Sequence, residues 1–227
     1  MASDRLIRLK RYKWCPMTSK TQAFLKLLAG QPVIPVLKID EIEHAVPLAR
    51  ALAKGGLPAI EITLRTPVAL DAIRRVSAEV EEAVVGAGTI LNSRQFDQAA
   101  KAGSRFIVSP GITGTVIDAA ASSDVPLLPG AITPGEMMTA LEAGLDFLKF
   151  FPAQQAGGAA FLKALASPFQ ELRFCPTGGI TSQNAKDYLS LPNVLCVGGS
   201  WVAPDNLVRS GDWSQIETLA REASTLK

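Results

Sequence analysis

Three features of the sequence predict an α/β protein, a (β/α)8 TIM barrel with an N-terminal helix and a loose N-terminal extension. Short β-branched or apolar runs alternate with amphipathic stretches of helical period. Eight such runs recur, each followed by a helical stretch, at a spacing of roughly 20 to 25 residues. The chain has 227 residues, large for one β-sandwich and comfortable for one α/β barrel. An open, doubly wound parallel sheet is the alternative that the same alternation allows.

Taken in order, residues 1–16 read as a flexible extension and residues 17–227 as one barrel domain, with Met17 a candidate start. A helix at 21–28 is expected to cover the bottom of the barrel. Strands are expected at 33–37, 59–64, 83–87, 105–109, 126–128, 147–150, 172–176 and 194–197, where the sequence is apolar or β-branched over a few residues. Helices are expected at 41–54, 68–79, 93–102, 114–122, 134–143, 158–166 and 182–189, with a closing helix at 213–226. The helix at 114–122 is short and alanine-rich.

Composition narrows the function. Hydrophobic residues make up 48% of the chain and charged ones 19%, so a sizeable core is expected, and a net charge of +2 is too small to argue for nucleic acid. The basic start (Arg5, Arg8, Lys10, Arg11, Lys13) holds no apolar run long enough for a signal peptide or a membrane span, and later apolar stretches are cut by Pro, Gly or charge. A cytoplasmic protein with no membrane partner is expected. Cys15, Cys175 and Cys196 form no CxxC pair and read as ordinary thiols. With His44 the lone histidine, a multi-histidine zinc site is excluded, whereas a carboxylate-bound Mg²⁺ is not; the expected chemistry needs no metal and no cofactor.

Lys149 stands out because it sits in Phe147-Leu148-Lys149-Phe150-Phe151-Pro152, an ammonium among three phenylalanines. It either snorkels to water or is desolvated so that its amine can react. An ordinary lysine carries a free amine in only about one molecule in a few thousand at neutral pH, and apolar surroundings raise that fraction. The second option points to covalent carbonyl chemistry, with Phe151 part of the apolar pocket.

In a barrel, chemistry gathers at the C-terminal ends of the strands. The second strand ends Glu61-Ile62-Thr63-Leu64-Arg65-Thr66, and alternation puts Glu61, Thr63 and Arg65 on one face. Facing inward, Glu61 is a general acid/base and Arg65 a clamp for a substrate carboxylate. An internal Glu61–Arg65 ion pair is the other reading. Gly86-Ala87-Gly88-Thr89 ends the third strand, where small residues either open space for a ligand or serve tight packing. Thr177-Gly178-Gly179 and Gly198-Gly199-Ser200 follow the seventh and eighth strands, where barrels hold phosphate on backbone N–H groups. This set describes an enzyme acting on a phosphorylated keto acid.

On the residues Glu61–Thr66, Gly86–Thr89, Leu148–Ala153, Arg173–Ile180 and Gly198–Trp201, the chain resembles the 2-keto-3-deoxy-6-phosphogluconate (KDPG) aldolases, a family that includes 2-keto-4-hydroxyglutarate (KHG) aldolases. The resemblance runs from about Pro32 to Trp213. It implies a homotrimeric (β/α)8 barrel of the metal-independent class I type, working in the Entner–Doudoroff pathway. It further implies Lys149 as the Schiff-base lysine and Glu61 as the acid/base, with Arg65 and Thr89 on the pyruvate carboxylate. Thr177, Gly178, Gly179, Gly199 and Ser200 would line the phosphate end. The chain departs from the family in residues 1–16, which have no counterpart, and at Gln154-Gln155, where relatives often carry an acidic residue.

Two other functions fit part of the pattern. An isomerase or epimerase barrel would use Glu61 for proton transfer without a covalent step, leaving Lys149 unexplained. A non-catalytic phosphate-ligand binder would have no need of Lys149 and Glu61 together.

Overall fold

A computed structural model of the protein describes residues 17–226. The expected extension at 1–16 lies outside the described residues. Helix α1 (Ser19–Leu28) comes first, and eight strands follow among the described residues: β1 (Val33–Leu37), β2 (Ala59–Thr63), β3 (Val84–Gly88), β4 (Ile107–Val108), β5 (Leu127–Leu128), β6 (Phe147–Phe150), β7 (Arg173–Pro176) and β8 (Val197–Gly199). After β1 to β7 come α2 (Ala45–Lys54), α3 (Ala69–Glu79), α4 (Ser93–Lys101), α5 (Gly114–Ala121), α6 (Pro134–Glu142), α7 (Gly158–Leu165) and α8 (Ala185–Leu189). The chain closes with α9 (Asp205–Ser210) and α10 (Trp213–Ser224).

All strand ladders are parallel. Six strands form one curled sheet in the order β5-β4-β3-β2-β1-β8, and β6 pairs with β7. Single bridges flank that pair: Gly130 with Lys149 beyond β5, and Phe174 with Val194 and Thr177 with Gly198 toward β8. Short strands followed by helices give this architecture because each crossover must pack an amphipathic helix back onto the sheet.

Strand alternation sorts side chains into two apolar clusters. Ile60 and Ile62 of β2 and Leu148 and Phe150 of β6 join the helices in the larger one. Ala59 of β2, Phe147 of β6, Ile34, Phe106, Val108 and Leu128 point the other way and meet Phe24 and Leu28 of α1. The Phe24 ring stands edge-on to Phe106 and Phe147, with centroids 5.1 and 5.4 Å away. Burying such a ring contributes about 1.5–3 kcal/mol, so α1 closes the N-terminal ends of the strands, as the expected covering helix should.

Polar side chains fix that closure. Thr18 caps α1, its hydroxyl accepting from the Thr21 N–H. Asp146, just before β6, accepts from the Thr18 N–H at 2.8 Å, from the Thr18 hydroxyl at 3.0 Å and from the Thr21 hydroxyl. Buried Gln31 donates to the carbonyls of Val33 and Ala59, each at 2.7 Å, and accepts from the Ala59 N–H at 2.9 Å. Its amide thereby stitches the starts of β1 and β2.

Ends agree with the expected ones to within two residues except in four places, one of which is α9 (Asp205–Ser210), a helix the sequence reading did not include. The eighth strand is not at 194–197 but at Val197–Gly199, so the glycine pair lies inside it, Gly198 opposite Ile34 and Gly199 opposite Pro35. Space explains this: a Cβ on Gly198 would stand 2.3 Å from Thr177 Oγ1, and one on Gly199 would stand 1.8 Å from the Trp201 ring. The helix expected at 182–189 starts only at Ala185. The stretch expected as one helix at 41–54 opens with a 3-10 turn, Ile42–His44, before α2.

Candidate active site

The C-terminal strand ends carry the polar residues. Glu61, third in β2 of the six-stranded sheet, and Lys149, third in β6 of the β6–β7 pair, face each other, with Lys149 Nζ 3.3 Å from Glu61 Oε1. Lys149 is 6% exposed and Glu61 3%, so the lysine does not snorkel to water. Its ammonium end lies 5.4 Å from the centre of the Phe151 ring, a cation–π arrangement that makes Phe151 the apolar wall beside the amine. The contact is longer than the 2.7–2.9 Å usual for a charge-assisted hydrogen bond.

Arg65 does not pair with Glu61. Its Nε donates to Thr63 Oγ1 at 2.9 Å, and the Thr63 hydroxyl donates to the Leu37 carbonyl at 2.7 Å. The internal Glu–Arg pair is therefore not formed, and the rest of the guanidinium is left for a ligand. In β3 both glycines serve packing: a Cβ on Gly86 would meet the Phe106 ring at 2.2 Å, and one on Gly88 would meet Glu61 Oε1 at 2.0 Å. Thr89, next in the chain, is half-buried and holds φ at 60°, a left-handed conformation that is costly for a β-branched residue.

A cavity of about 320 Å³ opens beside this group. Arg65, Phe151, Thr177, Gly178, Gly179, Gly199 and Ser200 line it, whereas Glu61, Thr89 and Lys149 are not on its wall. Arg65 and Phe151 join the two regions, since each lines the cavity and also touches the buried group.

The turn after β7 has a geometry suited to an anion. Gly178 and Gly179 have φ of 97° and 73°, open to glycine at little cost. The carbonyls of Thr177, Gly178 and Gly179 accept from Ala153 N, Gln154 N and Asn184 Nδ2 at 2.8, 3.1 and 2.9 Å. In a trans peptide the N–H points opposite to the carbonyl. The N–H groups of Gly178, Gly179 and Ile180, all residues of the cavity wall, are thus turned away from those donors. Successive N–H groups of this kind make an anion-binding concavity.

Two residues near the cavity escaped the sequence reading. Lys38 follows β1, shares strand parity with Ile34 and Val36, and lines the cavity while its Nζ stands 2.8 Å from Asp40 Oδ1. The strand-end rule applied to β1 would have found it. Asn184 lies inside the helix expected at 182–189, and no sequence signal sets it apart.

Below the site, Cys175 and Cys196 are buried neighbours; the hydrogen bond with Cys175, burial and the adjacent thiol together push the Cys196 thiol well above its ordinary range. Both read as inert packing thiols. Behind the Gly178-Gly179 turn, the Tyr188 hydroxyl donates to Gln154 Oε1 at 2.7 Å, and burial, with Asp187 nearby, raises its pKa.

The family model for KDPG and KHG aldolases matches residues 25–219. The KHG/KDPG aldolase of Escherichia coli (strain K12) is 49% identical over 204 residues, 90% of this chain and 95% of that one. The solved KDPG aldolase of Legionella pneumophila, which holds pyruvate as a covalent carbinolamine intermediate, is 45% identical with a TM-score of 0.86, covering 88% of this chain and 97% of that one. The aldolase of Zymomonas mobilis ZM4, solved with 3-phosphoglycerate, is 47% identical with a TM-score of 0.85, covering 93% and 98%.

Proposed function

This chain belongs to the KDPG and KHG aldolase family and is a carbon–carbon lyase of the Schiff-base type; we propose that Lys149 and Glu61 are the pair with which it cleaves KDPG to pyruvate and glyceraldehyde 3-phosphate. The observation that carries this reading is the 3.3 Å approach of two buried, oppositely charged side chains from β6 and β2.

The neutral Lys149 amine attacks the C2 ketone, and the carbinolamine hydroxyl takes a proton from solvent and leaves as water, giving a protonated imine that serves as an electron sink. Glu61, directly or through a water, takes the proton of the C4 hydroxyl, and the C3–C4 bond breaks. Glyceraldehyde 3-phosphate departs. The enamine is protonated at C3, with Glu61 the donor, and hydrolysis releases pyruvate and Lys149. Arg65 and Thr89 hold the carboxylate. Thr177, Gly178, Gly179, Gly199 and Ser200 anchor the phosphate, so that remote binding energy orients the reacting bond. The same pair would cleave 4-hydroxy-2-oxoglutarate to pyruvate and glyoxylate, a substrate that leaves the phosphate end unused.

The β6–β7 pair and the bridges at Gly130–Lys149 and Thr177–Gly198 support a closed eight-stranded (β/α)8 barrel, one domain over 17–227. A homotrimer in the cytoplasm, working in the Entner–Doudoroff pathway, completes the reading. No helix among the described residues is long and apolar enough to cross a membrane.

Borohydride reduction in the presence of pyruvate, followed by peptide mass spectrometry, tests the assignment. One reduced pyruvyl adduct on Lys149 is expected. No adduct, or an adduct on another lysine, overturns it.

A further inference from the structure

The three carbonyls whose hydrogen bonds turn the N–H groups of the Gly178-Gly179 loop the other way are not held alike. Those of Thr177 and Gly178 accept from the backbone of Ala153 and Gln154, donors that any non-proline residue there would supply. The Gly179 carbonyl accepts from a side chain, Asn184 Nδ2, at 2.9 Å. The same carboxamide accepts through Oδ1 from the Thr181 N–H at 2.8 Å. One planar group therefore spans Gly179 to Thr181 and fixes the peptide between Gly179 and Ile180. Its donor and acceptor ends are unambiguous, because each meets a partner of the opposite kind.

Asn184 also sits where it would be expected to do something else. It is the N-cap of α8, a position at which asparagine ordinarily accepts from the first turn of its own helix. Here the side chain makes no bond into the first turn of α8. Its Oδ1 accepts from the Thr181 N–H while the Thr181 hydroxyl accepts from the Asn184 N–H at 3.4 Å, a reciprocal box at the entry to the helix that leaves Nδ2 for the loop. One end of the carboxamide closes the turn that enters α8, and the other end fixes the loop peptide.

We infer that Asn184 is a positioning residue for phosphate recognition: its carboxamide holds the Gly179–Ile180 peptide so that the Ile180 N–H joins those of Gly178 and Gly179 at the anion. The inference rests on the reading that this end of the cavity takes the substrate phosphate. Asn184 touches no reacting atom. Its loss should weaken binding of the phosphorylated substrate while leaving covalent chemistry at Lys149 intact.

The test uses the full-length protein with Asn184→Ala and Asn184→Asp. The aspartate keeps the acceptor for Thr181 N–H and lacks the donor for the Gly179 carbonyl, so it isolates the second bond if the alanine variant folds poorly. For both, KM for KDPG is expected to rise about 10-fold, the scale of one anion-directed hydrogen bond, with kcat little changed. Cleavage of 4-hydroxy-2-oxoglutarate should change less than about 2-fold. Inorganic phosphate should inhibit that cleavage competitively in the wild type and about 10-fold more weakly in the variants. Equal losses for both substrates, or an unchanged KM for KDPG in a folded variant, overturn the role of Asn184. Absence of phosphate inhibition in the wild type instead overturns the phosphate reading itself, and the inference with it.

Discussion

A Cβ on Gly88 would stand 2.0 Å from Glu61 Oε1, so the carboxylate of the proposed acid/base fills the space that the glycine leaves open. Gly88→Ala is therefore expected to push Glu61 from its place beside Lys149. Displacements of about 1 Å can cost on the order of 10²-fold in rate. Gly86, two residues earlier on the same face, makes the control. Gly86 lies opposite Glu61 in the ladder, but its Cβ would strike the Phe106 ring first, and Gly86→Ala should cost stability, about 1–3 kcal/mol of overpacking. Thermal melts and kcat for both variants decide between them; a full-rate Gly88→Ala enzyme would remove the spatial argument.

Glu61→Gln separates proton transfer from imine formation. The amide keeps the volume and loses the base, so kcat should fall by about 10²–10⁴-fold while borohydride still traps pyruvate on Lys149. Lys149→Met should trap nothing and also be less stable, since it leaves a buried carboxylate without its partner, a loss of roughly 3–5 kcal/mol. Mass spectrometry and urea denaturation of the two proteins give the readouts. Trapping in Lys149→Met at the wild-type level would refute the assignment.

Much of this was legible in the sequence because it depends on period and on strand ends. The alternation at Glu61-Ile62-Thr63 sorted the two faces correctly, since a strand has no freedom to do otherwise, and Arg65, in the turn beyond β2, keeps to the Thr63 side through its bond to that hydroxyl. What the sequence hid were partners far apart in the chain. Nothing local says that Glu61 meets Lys149, 88 positions away, instead of Arg65. Nor does Gly198-Gly199 reveal that its missing side chains make room for Thr177 and Trp201, which a loop reading misassigns. Asn184 falls inside the helix expected at 182–189 and carries no local signal, and only the fold brings Gly179 within its reach.

Asp146 ties α1 to the start of β6, so its loss should act on stability and spare the chemistry three residues further along. Asp146→Ala leaves the Thr18 N–H without its acceptor. It also deprives Arg173, whose pKa burial lowers and Asp146 raises, of a favourable charge. A destabilisation of about 1–3 kcal/mol is expected, with KM and kcat near wild type below the new melting temperature. A larger effect on kcat than on melting would contradict a purely anchoring role for α1.

Glu136 provides a pH test at the start of α6, where it forms a capping box with Thr133. Partial burial alone would raise its pKa, but hydrogen bonds from Ile132 N, Thr133 N and the Thr133 hydroxyl, at 2.9, 2.8 and 2.9 Å, outweigh burial and hold the carboxyl below the ordinary glutamate value. Because the folded pKa lies below the unfolded one, the unfolded chain binds more protons between the two values. The stabilisation is therefore fully present above the unfolded pKa and is lost as pH falls through the folded one. Glu136→Gln should be less stable than wild type near neutrality by about 0.5–2 kcal/mol, the scale of a helix cap. The gap should close on acidification through that window. Denaturation curves collected from pH 7 down to about 3, bracketing the ordinary glutamate pKa of about 4.3, measure it, and a gap that stays constant over the range would mean that the charge on Glu136 contributes nothing to the cap.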